Sequence, residues 1–362
     1  MVEGAPLKTR ADKPPPPQLA VKMLSPIFQS FARRKEKQSH VPAEKRTLRT
    51  SLTGPDFHRS MLTELGVLYG REITNVVRNP ALLALHLFVS LLMALLVGGV
   101  FQNVKDDISG IQNRQGAFLF SVAFFSLASL SALEAFITER IIFTQEGSGK
   151  YYRTISYFLP KITLDALFLR ILPAVVYSCI MYWLMGLRPD GAKFLLFLII
   201  MVMVAMTAGE VCSCISLITA SVGVANFLSI VVMLLMILFT GALVNSDKIT
   251  PGLQWLLKLS FLNYAFEVLM TSQVEGLTIL FQPSGFPKPV PVKGEVVLDT
   301  LGQHSERRTA DTWALLAMVV GYLLLAWLLL MLRVCMASRL KVHKDRAPPP
   351  AVAPPVESAG DV

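Results

Sequence analysis

The sequence predicts an all-α polytopic membrane protein with six transmembrane helices. Of its 362 residues 53% are hydrophobic and only 16% charged, whereas soluble chains carry about 25% charged residues. The charges are also crowded into a few stretches, leaving uncharged runs longer than the core of a water-soluble domain of this size needs. The third observation concerns the net charge of +9, because 14 of the 34 basic residues fall between Lys8 and Arg78. That asymmetry reads as the cytoplasmic flank of membrane spans, in contact with anionic lipid headgroups, and not as a nucleic-acid interface.

Residues 1–56 contain Pro14-Pro15-Pro16-Pro17, the run Arg33-Arg34-Lys35 and few large apolar side chains, and read as a disordered basic cytoplasmic tail with no cleavable signal peptide before it. Residues 57–80 set Met61, Leu62, Leu65, Leu68 and Tyr69 against Glu64, Arg71 and Glu72. That is the spacing of an amphipathic helix along the cytoplasmic surface, ended by Asn79-Pro80. Span 1 is Ala81–Phe101. Span 2 runs from Ala117 to about Thr138, and a cytoplasmic segment, 139–161, leads to span 3 at Thr163–Gly186, with a kink expected at Pro173.

Residues 194–246 hold one charge in 53 positions, and a single helix of that length would reach about 80 Å. The run must therefore double back, most easily at Thr219–Gly223, giving spans 4 and 5. A long outer loop, 245–311, includes a partly amphipathic piece at Trp255–Met270 and a Pro/Gly-rich stretch at Pro283–Pro291. Span 6 is Thr312–Leu332, within a six-span domain of 81–333. Residues 334–362, with Pro348-Pro349-Pro350 and Pro354-Pro355, read as a second disordered cytoplasmic tail. Six spans put both termini on one side, and the distribution of basic residues makes that side cytoplasmic, in the plasma membrane or an internal one.

No catalytic constellation is visible. A phosphate-binding loop needs a strand, spaced glycines and a hydroxyl after its lysine; Gly147-Ser148-Gly149-Lys150 is followed by Tyr151 and has Thr144 where the first glycine belongs, so it is a decoy. The chain alone is therefore not expected to be an enzyme, nor to bind a cofactor. Four cysteines lie in or beside apolar runs, and Cys212 and Cys214 point about 200° apart on a helix, so packing is expected and no metal site. His86, alone in span 1, reads as a packed or hydrogen-bonded residue.

Charges at membrane depth need a reason, since each costs about 2.5–3.5 kcal/mol at the bilayer centre on insertion scales. The candidates are Glu134, Asp165, Arg170 and Glu210. Asp165 lies near the interface and reads as an assembly contact. Glu134 and Arg170 fall at depths that favour a buried charge pair, relaying movement of the cytoplasmic segment inward. For Glu210 two readings stand, a functional carboxylate or local hydrogen bonds to Thr207 or Ser213 on the same helix face.

Several motifs, in order along the chain, resemble the ABC transporter G subfamily: Ser109-Gly110-Ile111-Gln112-Asn113-Arg114-Gln115-Gly116, Glu146 with Tyr151-Tyr152-Arg153, Ser156-Tyr157-Phe158-Leu159, Arg170-Ile171-Leu172-Pro173, Gly186-Leu187-Arg188-Pro189 and Gly241-Ala242-Leu243-Val244-Asn245. The resemblance covers about residues 57–340. It implies an ABC-2 exporter fold, a connecting helix at 57–80, and a coupling segment in which Glu146, Tyr151, Tyr152 and Arg153 dock on a nucleotide-binding domain. It also implies dimers whose spans 2 and 5 line a central cavity. Carried over, the cavity would be lined by Phe124, Leu127, Ile230, Leu234 and Ile237, with Ala242 and Leu243 as an outer gate. Phe124 and Ile230 are apolar where multidrug members are polar, and no Asn-x-Ser/Thr site is present.

These readings lead to the transmembrane subunit of an ATP-driven exporter of amphipathic, lipid-like or xenobiotic molecules. It would work as a homo- or heterodimer with a G-subfamily half-transporter. An ATP-binding domain supplied in trans, or missing from the gene model, would hold ATP and Mg. The alternative is a non-transporting pseudo-subunit that dimerises with complete half-transporters and regulates them.

Overall fold

Glycine, proline and short polar stretches divide an otherwise continuous apolar sequence into helices, seen in a computed structural model that describes residues 61–78, 80–131, 133, 137, 154–219, 221–246, 249–281 and 290–346. Contacts divide the chain at Asp56; the unit Met1–Asp56 lies outside the described residues, and the unit Phe57–Val362 holds every described helix. Helix α1 is Met61–Arg78 and α2 is Pro80–Val100, so the expected break at Asn79-Pro80 falls between two helices. Helix α3, Ile108–Ala128, starts nine residues before Ala117, and α4, Thr154–Asp165, continues through a π turn at Ala166–Ile171 into α5, Leu172–Leu184. Helix α6 is Gly191–Ile218 and α7 is Val222–Leu238, which puts the reversal of the long apolar run where expected.

The early start of α3 has a local cause. Asp107 is its N-cap, accepting from the Gly110 backbone N–H at 2.6 Å and from the Ser109 hydroxyl at 2.9 Å. The side chain thereby satisfies one of the donors left over at a helix start. Gly110 is required there because a Cβ would overlap the Lys105 carbonyl oxygen. Arg114, one turn on, is buried and holds Asp106 at 2.8 Å. The Gly110 N–H and then the Ser109 hydroxyl hold the Asp107 carboxyl below its usual range. A carboxyl depressed in the folded state stabilises above its unfolded pKa and loses that contribution as pH falls through the folded one. Asp107→Ala is expected to cost about 1 kcal/mol at neutral pH. The difference in melting temperature between variant and parent should shrink as the pH is lowered into the acid range.

Beyond α7 the long loop is structured. Helix α8 is Gln254–Leu259 and α9 is Phe261–Val274; strands β1, Thr278–Phe281, and β2, Val290–Lys293, pair antiparallel with Ile279 opposite Val292; α10 is Gly294–Thr300 and α11 is Arg308–Arg346. Two expectations are corrected here. The Trp255–Met270 piece is not one partly amphipathic stretch: Trp255 and Leu259 of α8 are exposed, whereas nearly every residue of α9 is buried, against α11, α6 and α3. Fourteen residues rise about 21 Å, short of a 30 Å hydrocarbon core, so α9 enters the bundle without crossing it. Residues 334–346 are also helical, as the end of α11, where an irregular tail was expected.

Among the described residues four helical runs are long and apolar enough to cross a membrane: Pro80–Val100, Ile155–Leu184, Gly191–Ile218 and Ser305–Arg333, with Val222–Leu238 a shorter apolar helix. The protein is thus a mostly helical, polytopic membrane protein. Its core is aromatic at the crossing of α3, α5 and α6, where Phe118 and Phe197 centroids lie 5.9 Å apart and Tyr182 and Phe197 5.4 Å apart. The Ser121 and Tyr177 hydroxyls meet at 2.6 Å inside this cluster.

Candidate functional site

The charge at the centre of the bundle is compensated by an ion pair. Arg170 Nη1 donates to Glu210 Oε1 at 2.6 Å, joining the π turn to the middle of α6. Glu210 is fully buried and Arg170 is 9% exposed, so the pair lies well away from bulk water. Gly209 makes the space, since a Cβ there would overlap the guanidinium. The π turn sets the direction: the Leu172 backbone N–H bonds to Leu167 O, five residues back, just before Pro173. A proline lacks the N–H that the helix needs and crowds the preceding turn, and a widened turn relieves both. The distortion expected at Pro173 therefore takes the form of a π turn that carries Arg170.

This geometry corrects the local reading of Glu210. Thr207 donates to Met203 O at 2.7 Å and Ser213 to Gly209 O at 2.9 Å, so each hydroxyl serves its own helix and the carboxylate meets Arg170 instead. Glu134 lies outside the described residues, as do Glu146, Tyr151, Tyr152 and Arg153. Cys212 and Cys214 are buried free thiols, and Cys214 Sγ donates to Tyr322 O at 3.6 Å.

A second polar set joins α1 to α4. Ser156 donates to Glu64 at 2.9 Å, the Tyr69 and Thr163 hydroxyls meet at 2.8 Å, and Lys161 bridges Glu72 at 3.2 Å and Asp165 at 3.1 Å. The buried stripe of α1 is Glu64, Leu68 and Glu72, while Leu62, Val67, Ile73 and Val77 are exposed. The amphipathic helix thus turns a carboxylate-bearing face to α4. Its register with Ser156 and Lys161 could not be read from periodicity, because it depends on the partner helix. Asp165 pairs with Lys161 of its own helix, which also holds Glu72 of α1.

Phe124 and Leu127 line a cavity of about 170 Å³ between α3 and α2. Phe124 stacks on Tyr177 at 5.8 Å. Ile230 and Ile237 are half-buried and Leu234 is 53% exposed, on one face of α7. At the end of α7 the backbone turns through Gly241, with φ +79°, and Ala242 O accepts from Gln115 Nε2 at 2.7 Å. Leu243 is 57% exposed. Gln115 is a contact that sequence reading missed, although it sits inside a motif already singled out.

A family profile described as ABC-2 type transporter matches residues 63–274, more than half of the chain. The chain belongs to the ABC-2 type transporter family. It is 35% identical over 276 residues to ABC transporter G family member 24 of Dictyostelium discoideum, covering 76% of this chain and 24% of that protein. It is 33% identical over 234 residues to the broad substrate specificity ATP-binding cassette transporter ABCG2 of Rattus norvegicus, covering 65% and 36%. To a probable ATP-dependent permease of Saccharomyces cerevisiae it is 30% identical over 273 residues, covering 74% and 26%. The chain thus spans about a quarter to a third of these curated relatives.

The ABC-2 match takes in α1 through α9, and with them the α1–α4 contacts, the Arg170–Glu210 pair and the Gly241 turn. The chain is an integral membrane protein of the ABC-2 type. The arrangement can link helix α1, at one end of the bundle, to a charge pair in the apolar core through one helical run, Ile155–Leu184.

Proposed function

We propose that this chain is the transmembrane subunit of an ATP-driven exporter of amphipathic, lipid-like or xenobiotic molecules. It acts as a dimer, with both termini cytoplasmic, and the nucleotide-binding domain comes from another chain or from a further part of a longer protein. ATP and Mg are held by that domain. The observation that carries the reading is the continuous helix 155–184, fastened to α1 at one end and to Glu210 through Arg170 further along. Movement imposed at the coupling segment, with Glu146, Tyr151, Tyr152 and Arg153, is delivered along it to the charged centre of the bundle. Phe124, Leu127, Ile230, Leu234 and Ile237 line the cavity between two copies, and Ala242 and Leu243 close it outward, positioned by Gln115. The relatives' names, which speak of ATP-binding cassettes, broad substrate specificity and a permease, support the reading.

The test uses protein purified from its native membrane. An ATP-binding domain should appear either as a co-purifying polypeptide or in the intact mass of the protein itself. Inside-out vesicles should accumulate a fluorescent amphiphile with ATP and not with a non-hydrolysable analogue. The 362-residue chain by itself, in lipid, should show no ATP hydrolysis. Robust hydrolysis by it, or no ATP-binding domain by either route, overturns the proposal.

A further inference from the structure

We propose that the lateral cavity between α2 and α3 is a binding site for an uncharged amphiphile with a hydroxyl head, a long-chain alcohol or a lipid presenting one. Its outer wall is apolar, made by Leu85, Val89, Phe124 and Leu127. His86, Ser90 and Ser131 supply polarity at one end. His86 and Ser90 also line an adjoining smaller pocket of about 20 Å³ that reaches Arg170. That smaller space has room for one water, which needs about 10–15 Å³. The larger cavity, about 170 Å³ on the same measure, has room for several such groups. It therefore holds the head and first carbons of an amphiphile, and the remaining chain lies in the bilayer beside exposed Leu85.

The hydrogen bonds select a hydroxyl. Ser90 is 3% exposed, and among the described residues its hydroxyl makes no hydrogen bond. His86 Nδ1 lies 2.8 Å from Leu82 O, which can only accept, so this nitrogen carries the proton and in the neutral ring Nε2 is an acceptor. Ser131 Oγ, 2.7 Å from Nε2, has a second acceptor in Ala128 O, also at 2.7 Å. Ser131 can turn to that carbonyl without losing a hydrogen bond, which frees Nε2. A ligand hydroxyl then donates to His86 Nε2 and accepts from Ser90, satisfying both.

Carboxylates and hydrocarbons fit less well. The charged residue at the site is Arg170, and its charge is already met by Glu210. An anionic head would thus enter an apolar region with no net positive charge to receive it, which is costly. A plain hydrocarbon leaves the Ser90 hydroxyl unsatisfied. The inference rests on the exporter reading only for the role of the bound molecule as cargo.

The experiment places the full chain in lipid nanodiscs with diazirine-bearing hexadecanol, hexadecanoate or hexadecane, each normalised to the amount partitioned, and maps photolabelled residues by peptide mass spectrometry. One hydrogen bond is worth about 0.5–1.5 kcal/mol, or roughly two- to twelvefold. The alcohol should label residues 85–90 and 124–131 about three- to tenfold above the other two probes. Ser90→Ala should remove that preference and Ser90→Thr retain it; Leu85→Trp, at an exposed position that leaves the core untouched, should block labelling by filling the cavity. Equal labelling by the alkane, a preference for the carboxylate, or parent-like labelling of Ser90→Ala overturns the proposal. ATP-driven accumulation in vesicles is a separate readout, so failure of the site is distinguishable from failure of the exporter reading.

Discussion

Arg170→Met should destabilise the protein by about 3–5 kcal/mol, because it leaves Glu210 charged and buried with no counter-charge. The carboxylate is fully buried, and its Oε2 already has no hydrogen-bond partner among the described residues, so Arg170 is its compensation there. Glu210→Gln strands the guanidinium instead and should cost a comparable amount. The double variant Arg170→Met with Glu210→Met should recover most of the loss, since apolar side chains of similar volume often replace a buried pair at little cost. Gly209→Ala should mimic the broken pair by displacing the guanidinium, and most of its cost should disappear in the double-variant background. Thermal unfolding in one detergent, with vesicle transport measured beside it, reads out the whole set. Purely additive costs would mean that the two side chains are not coupled. A fully stable double variant that no longer transports would identify the pair as a transmission element retained at the expense of stability.

The second large effect is expected at Lys161. Its ammonium bridges Glu72 and Asp165, and all three side chains are at least four-fifths buried. Lys161→Met leaves two carboxylates facing one another without that cation, a loss of several kcal/mol by the same reasoning. The effect should be local, freeing α1 from α4. Hydrogen exchange of the amides in Met61–Arg78 should accelerate at least tenfold, whereas amides of α6 hold their rate. ATP-dependent transport should fall with it. Ser156→Ala removes only a neutral donor to Glu64 and should do much less. Unchanged exchange across α1 would show that the apolar contacts of Leu68 suffice to dock it.

Much of the fold was legible because lipid imposes a simple rule: an uncharged run of about 20 residues must be helix. The break at Asn79-Pro80, the reversal near Thr219 and the distortion near Pro173 all followed from local chemistry. Helix α9 was illegible for the converse reason. Its Asn263, Glu267, Ser272 and Gln273 make it look like a surface segment, yet they are buried against other helices, and His304 N–H donates to Glu267 Oε1 at 3.0 Å. The β1–β2 pairing was hidden by the Pro/Gly-rich stretch between the strands. At the site, depth marked Arg170 and Glu210 as candidates separately, but their pairing required knowing that the π turn faces Gly209.

The π turn at Ala166–Ile171 also has a consequence for phase. An α-helix advances about 100° per residue, and a π turn accommodates one residue more than that period allows. Everything from Leu172 onward is therefore rotated by about one residue's angle relative to a straight continuation of α4. Thr163 and Lys161 keep their aim at α1, while Ser178 and Tyr177 keep theirs at the core. The two ends of a single rod thus answer to different partners. Deleting one residue within 166–171 would let the rod relax to a uniform helix, but only one end could then stay in register. The extra residue works as a clutch plate, set where the two halves of the helix would otherwise be locked to a common angle.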